Sequence, residues 1–546
     1  MTRPASSAAT SPSEPSLEGA AQAAPLLLDR LAHRAHTNPD DLLLQEVGPA
    51  VGDGPRTVTA AELWSAARAR SAVFAALGIT PGEPVATLLG TSIEGVVTWL
   101  GLALLGAHEV PVGPDLDGDI LVQSLRGVAP RVLLVEPDRQ SVIPRLAADL
   151  PGLETVLVPG PVPREAHPLI RRLPDPPAVL PQQDELPGPG AVACGVLTSG
   201  TTGPPKCLLV PWGQLRQMFA EALVVEPSPP GESVFVFTPL NHLIARGLVY
   251  RALLHDHGRA VLRRRFSRSD WWADVRAHGC TEAILPAASA HWLLAARPSD
   301  DDTRNPLRRV IITPLIPQAR EFEARFDVPV SISFGSTECG IPIASRTLPP
   351  DLRSCGRAVA GVALQIVTPG TDIAVPDGEV GELLVRSEPD KVSVGRLGGA
   401  LPRRADGWIA TGDLLRRDGG GWYFFEGRLH DVIRRRGENI SPTPIEDAAI
   451  RDPDVLLAVA VPVPSEVGED DIKLFVQPRP GRQIGLDRLA GRLEGDLPRF
   501  MVPRYLESRV DLPMTPTGKI RRAQLRSEAA VGPSTLDRGV SRAGGH

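Results

Sequence analysis

The residues best suited to chemistry are gathered between Leu197 and Cys207, in the run LTSGTTGPPKC. Glycines let backbone N–H groups come close to phosphate oxygens, hydroxyl side chains add donors, and a lysine supplies positive charge. Thr198, Ser199, Gly200, Thr201, Thr202, Gly203 and Lys206 are therefore candidate phosphate ligands. The run is not a Walker loop, because Lys206 comes three residues after Gly203 and precedes a cysteine. A flexible Ser/Thr/Gly linker would have a similar composition. Lysine usage argues against a linker. Of 58 basic residues only four are lysines: Lys206, Lys391, Lys473 and Lys519. In a chain that takes arginine nearly everywhere, a retained lysine marks a place for a compact, mobile charge, with chance retention as the alternative for any single one.

Further runs follow in order: FGSTECG at Phe334 to Gly340, DGWIATGD at Asp406 to Asp413, EGRLHDVIRRRGENISPTPIED at Glu426 to Asp447, and PMTPTGKIRR at Pro513 to Arg522. With the phosphate-loop pattern, this series resembles the adenylate-forming superfamily of acyl-CoA synthetases, peptide-synthetase adenylation domains and luciferases. The texture is similar from about Leu26 onward.

The resemblance implies roles. Lys206 and the loop hydroxyls would hold the β- and γ-phosphates of ATP. Thr337 would contact the α-phosphate, and Glu338 would be a hard oxygen ligand for Mg2+. Phe334, with Gly335 beside it, would offer adenine a flat face. Asp413 would accept from the ribose hydroxyls, with Arg428 close to ribose and phosphate. By itself an aspartate after a glycine reads as a turn residue, and only the series promotes it. Lys519 would reach the carboxylate and α-phosphate in the first half-reaction, where negative charges crowd together.

Departures from the pattern concern the acid and the hinge. His430 stands at the hinge position, where Asp or Lys is usual, and Cys207 replaces the glycine that commonly follows the loop lysine. PLNHLIARG, Pro239 to Gly247, keeps His242 near the expected acid site without a familiar specificity code. No aspartate stands where amino-acid-activating domains clamp an α-amine. The junction most resembles acyl-CoA ligases of the crotonobetaine/carnitine type, in which Gly437 would line the pantetheine tunnel for CoA. A generic helix start is the plain alternative there. The resemblance thus implies an ATP-dependent, AMP-forming ligase passing a small acid to CoA. The other reading keeps adenylation and changes the acceptor, as in amide-forming ligases or diazotases that activate nitrite for an aromatic amine in natural-product biosynthesis. A non-catalytic binding protein of the same fold is a third reading, disfavoured by the presence of both Lys206 and Lys519.

Elements must position these residues. A capping-box pattern at Thr59 and Glu62 predicts an amphipathic helix through Leu63, Ala66, Val73 and Leu77 to Gly78. A strand at Val85 to Leu89 and an apolar helix around Val96 to Leu105 come next. Strand-like runs at Val132 to Val135, Thr155 to Val158, Val234 to Thr238, Ala283 to Leu285, Val310 to Thr313 and Val330 to Phe334 alternate with helical stretches, predicting α/β layers with largely parallel sheets. Short strands and glycine turns between Gly356 and Arg428 predict a small β-rich subdomain. The last block predicts a small mobile α+β domain with strands at Leu456 to Val461 and Leu474 to Val476, and an Arg-rich tail after Lys519. The expected organisation is a mobile tail at 1–22, an ATP- and acid-binding domain at 23–428 and the mobile domain at 429–546, without internal repeats.

A chain of 546 residues is too long for one core, and 42% hydrophobic with 22% charged residues suits a globular protein. A net charge of −6 carries no basic excess for nucleic acid or acidic membrane. The apolar stretch Gly95 to Ala107 is too short to span a bilayer, no secretory signal is evident, and the five cysteines form no CxxC pair. These features predict a cytoplasmic protein with free thiols and no membrane partner.

Overall fold

The computed structural model describes residues 24–48, 55–162, 164–181, 185–198, 206–223, 231–404, 406–435, 438–465, 470–514, 520–529 and 531–539. The tail expected at 1–22 and the candidates Ser199, Gly200, Thr201, Thr202, Gly203, Gly437 and Lys519 lie outside them.

The capping box forms as the sequence implies. Glu62 N donates to Thr59 Oγ1 at 3.3 Å, Thr59 N donates to Glu62 Oε2 at 2.9 Å, and a helix runs over Ala60–Ala76. The next helix, Ile93–Leu105, is buried nearly all round, as a helix apolar on every face must be, and stops at Gly106, whose φ of +78° suits glycine. It follows the strand Pro84–Leu88, the second strand of a five-stranded parallel sheet that also contains His108–Pro111, Val132–Val135, Thr155–Val158 and Ile170–Arg172.

A larger sheet has a parallel half and an antiparallel half. Its parallel strands are Val330–Ser336, Arg309–Thr313, Glu282–Pro286, Ser233–Val236, Arg259–Arg263 and Leu42–Val47, in that spatial order. Here Ser233–Val236 ends two residues before the expected Thr238, because the chain turns there toward the helix Leu243–Leu254. The β-rich stretch is present and continues the large sheet edge to edge. Gly340–Ser345 pairs antiparallel with Val330–Ser336, and Ser354–Ala358, Tyr423–Arg428, Ile409–Arg417, Gly381–Arg386 and Ala363–Val367 extend it. Between the two sheets, Ala60–Ala76, Ile93–Leu105 and Leu243–Leu254 contribute to one apolar core.

The C-terminal block is an α+β unit. Val455–Pro464, Asp470–Pro478, Tyr505–Ser508 and Thr535–Asp537 form a sheet packed with Thr443–Ile450 and Leu486–Asp496. What reads as an Arg-rich tail after Lys519 includes a helix, Arg522–Ser527, and the sheet's last strand. The sequence hides that strand because a tertiary contact holds it. Fully buried Lys473 pairs with Glu507 at 2.7 Å and donates to Thr535 Oγ1 at 3.2 Å. Lys473 is therefore committed to the fold. Lys391 is also engaged, 3.4 Å from both Glu221 and Glu388.

Candidate active site

The phosphate-loop run is mounted on a hairpin. Val192–Thr198 and Lys206–Pro211 pair antiparallel, with Thr198 across from Lys206. Lys206 is exposed at the hairpin mouth, and Thr198 Oγ1 donates to the Lys206 carbonyl at 3.3 Å. Cys207 faces the other way, buried against Gly195, and burial pushes its thiol up to about 12. The departure from glycine there fills a core position and adds no nucleophile.

FGSTECG forms the turn where the large sheet changes from parallel to antiparallel. Ser336 lies opposite Gly340, leaving Thr337, Glu338 and Cys339 as a three-residue hairpin loop. Such loops close through a left-handed residue, and Gly340 has φ of +72°. Gly335 is required by contact: a Cβ there would lie 2.1 Å from the Gly340 carbonyl oxygen. Glu338 is half-buried, its carbonyl accepting from Ser393 N at 3.0 Å, while its carboxylate has no ion-pair or hydrogen-bond partner among the described residues.

Phe334, at the end of its strand, packs on Phe425 with ring centroids 5.9 Å apart. Phe425 belongs to the strand ending at Arg428, which faces Asp413 in register, and Arg428 Nε lies 3.0 Å from the buried Asp413 carboxylate. The Cys339 thiol is pushed up to about 12 by burial, and the charges of Glu338 and Asp413 add to the rise. Phe334, Thr337, Glu338, Asp413 and Arg428 thus converge around one turn. Ligands of parallel α/β sheets sit beyond the carboxyl ends of the strands, where Phe334 and the Thr337–Glu338 turn stand.

His242 follows another carboxyl end and is the N-cap residue of Leu243–Leu254. Arg246, one turn on, fastens that approach. Its Nε donates to Leu240 O at 2.7 Å, it pairs with buried Glu109 of the parallel sheet at 2.8 Å, and it lies over Trp99. In the C-terminal unit, Arg522 makes a bidentate pair with Glu446, both contacts 2.6 Å, and Arg526 reaches Asp431 at 2.9 Å. The segment after Lys519 is therefore tied to the residue following His430.

Sequence reading missed two glutamines. Gln214 Nε2 donates to Thr337 O at 2.8 Å, and Gln217 bonds both backbone groups of Ile341, at 2.8 and 3.2 Å. In WGQLRQMF neither carries a signal, since glutamine is ordinary on a helix surface.

A magnesium ion fits this donor set. It keeps waters and phosphate oxygens and needs only one or two protein carboxylates, as the unpaired Glu338 would provide. Among the described residues no group of three or more His, Cys, Asp or Glu side chains could hold a metal ion. No helix among them is long and apolar enough to cross a membrane.

Comparison with known proteins gives the family. Residues 31–392 match the model of the AMP-binding enzymes, and the chain belongs to that family. It is 31% identical over 473 residues to a sulfoacetate–CoA ligase of Cupriavidus necator, covering 84% of this chain and 89% of that one. It is 28% identical to an indoleacetate–CoA ligase of Aromatoleum aromaticum, over 87% of this chain and 94% of that one. Among solved structures, the anthranilate CoA ligase AuaEII with anthranoyl-AMP superposes with a TM-score of 0.80 at 23% identity, over 93% of this chain and 98% of that one. The amide bond synthetase McbA from Marinactinospora thermotolerans gives 0.77 at 22% identity, over 92% and 99%. These two likenesses establish the fold.

Proposed function

We propose that the chain is an AMP-forming acid–CoA ligase acting in two half-reactions. An oxygen of the acid attacks the α-phosphorus of ATP, and the bond to the β-phosphate breaks, giving the acyl adenylate and pyrophosphate. The CoA sulfur then attacks the acyl carbon, AMP leaves with the bonding electrons, and the thiol proton passes to solvent. The observation that carries this reading is the convergence of Phe334, Thr337, Glu338, Asp413 and Arg428 around one turn in a chain whose curated relatives are CoA ligases.

Lys206, Thr198 and the loop residues Ser199, Gly200, Thr201, Thr202 and Gly203 hold the departing pyrophosphate. Thr337 contacts the α-phosphate, Phe334 and Gly335 border adenine, and Asp413 with Arg428 fixes the ribose. Glu338 would hold magnesium, which supplies charge neutralisation along the phosphates. His242 borders the acid. Lys519 stabilises the first transition state, arriving on a domain that starts at residue 429 and turns about His430. Gly437 leaves room for pantetheine.

The test is pyrophosphate release from ATP and Mg2+ over a panel of acids including sulfoacetate, arylacetates, anthranilate, crotonobetaine and nitrite, with CoA or an aromatic amine, and products weighed by mass spectrometry. Pyrophosphate with a CoA thioester is the expected result. A faster covalent product that needs an amine and no CoA would move the acceptor, and absence of pyrophosphate across the panel would refute adenylation.

A further inference from the structure

We propose that Gln214 and Gln217 are positioning residues that set the Thr337–Glu338 turn for phosphate chemistry, a role that rests on the adenylation reading above. They belong to the helical segment that continues from the Lys206 strand, α-helical over Trp212–Arg216 and π-helical over Gln217–Glu221. Spaced by three residues, their side chains reach neighbouring points of the same hairpin. Gln214 bonds the Thr337 carbonyl inside the turn, and Gln217 bonds Ile341 just past it, giving and accepting as a neighbouring strand would. The element that leaves the phosphate-loop hairpin is therefore joined directly to the turn that carries the α-phosphate and magnesium candidates.

The surroundings hold this segment closely. A Cβ on Gly247 would come within 2.0 Å of the Phe219 ring, and one on Gly340, whose φ of +72° already favours glycine, would come within 2.6 Å of Gln217 Oε1. On another side, Arg216 lies 3.2 Å from Glu221, which pairs with Lys391 at 3.4 Å, and Ser393 N holds the Glu338 carbonyl. π-Turns are frequent at functional sites.

Both glutamines are buried, with 0% and 2% exposure, where an apolar side chain would fill the space without polar desolvation. What the two buried amides engage is backbone of the hairpin, the Thr337 carbonyl and both groups of Ile341, which places them for the turn.

The test uses the full chain with Gln214→Met, Gln217→Met and Gln217→Glu. Gln214→Met should slow pyrophosphate release per folded molecule by roughly tenfold, the worth of about one buried hydrogen bond, and Gln217→Met, which loses two, by at least as much. Both should also weaken MgATP binding measured by calorimetry without acid. Thioester formation from supplied acyl adenylate and CoA, which keeps the α-phosphate beside Thr337 but no longer needs magnesium or the outer phosphates, should fall less. In Gln217→Glu burial keeps the carboxyl protonated, so it still donates to the Ile341 carbonyl; adenylation should be near wild type at low pH and fall as pH rises through the elevated pKa. Equal losses in both half-reactions, or losses matched by the unfolded fraction, would make the glutamines packing residues and overturn the proposal. If the wild type released no pyrophosphate with any acid, the adenylation reading would fail by itself. The calorimetric arm would then decide the brace, with unchanged MgATP affinity in both methionine variants overturning it.

Discussion

Replacing Gly335 by alanine should damage adenylation far more than folding. The added Cβ would stand 2.1 Å from the Gly340 carbonyl oxygen and 3.0 Å from both its carbon and Ile341 Cα, all backbone atoms with no rotamer to escape into. Ordinary contact begins near 3.4 Å, so the two strands flanking the Thr337–Glu338 turn must separate by roughly 1 Å. Overpacking of this kind costs about 1–3 kcal/mol of stability, which a chain of this size with several separate cores can absorb. The same displacement at a reacting centre costs about a hundredfold in rate. Pyrophosphate release per folded molecule, with the folded fraction taken from thermal unfolding in the same buffer, should fall by about that factor. The control is Gly399→Ala, where a Cβ would meet nothing within 4 Å. Near wild-type turnover in Gly335→Ala, or a loss fully matched by unfolding, would refute the link between this close approach and the position of the turn.

Lys519→Ala should abolish most adenylate formation while thioester formation from supplied acyl adenylate persists, read by pyrophosphate release and thioester mass; parallel loss in both would remove the lysine from the first transition state. Glu338→Gln should raise the Mg2+ concentration needed for half-maximal rate while shifting unfolding by no more than about 0.5 kcal/mol, since its carboxylate holds no partner among the described residues; an unchanged magnesium titration would exclude the metal role. Burial, helped by the Arg479 charge, holds the His291 imidazole well below its ordinary 6.5, at about 4. The unfolded chain then binds the proton that the folded chain refuses, so His291 leaves stability intact above about 6.5 and erodes it as pH falls toward 4. His291→Gln should flatten that slope in chemical denaturation by about 1–3 kcal/mol, and an unchanged slope would count against a buried neutral histidine. Gly491 is exposed inside the helix Leu486–Asp496 with nothing within 4 Å of a Cβ, so Gly491→Ala should stabilise by about 0.5–1 kcal/mol; a lower Tm would contradict it.

Much of this molecule was legible in one dimension because its signals are local. The Thr59–Glu62 capping box needs only three residues of spacing, and the helix it predicts forms over Ala60–Ala76. The alternation of β-branched runs with helical stretches foretold parallel sheets, since parallel strands need a crossover between them. The run TSGTTGPPK and the series after it pointed to the family for the same reason: backbone approach to phosphate demands glycine and hydroxyls close together in sequence. Even the scarcity of lysine was informative, although it could not separate Lys206, exposed at the hairpin mouth, from Lys473, buried against Glu507.

Tertiary structure decided what depends on partners far along the chain. That Asp413 lies in a strand in register with Arg428, and that Phe334 packs on Phe425, rests on contacts that span from 15 to 91 residues and leave no periodicity to read. The merging of the β-rich stretch with the large sheet rests on backbone hydrogen bonds, which are blind to side-chain identity and so to sequence pattern. Gln214 and Gln217 are the clearest case. The same side chain is unremarkable on a solvated helix and becomes a brace only when folding buries it against the Thr337 and Ile341 backbone, because burial removes the water that would otherwise satisfy those groups and makes each hydrogen bond count.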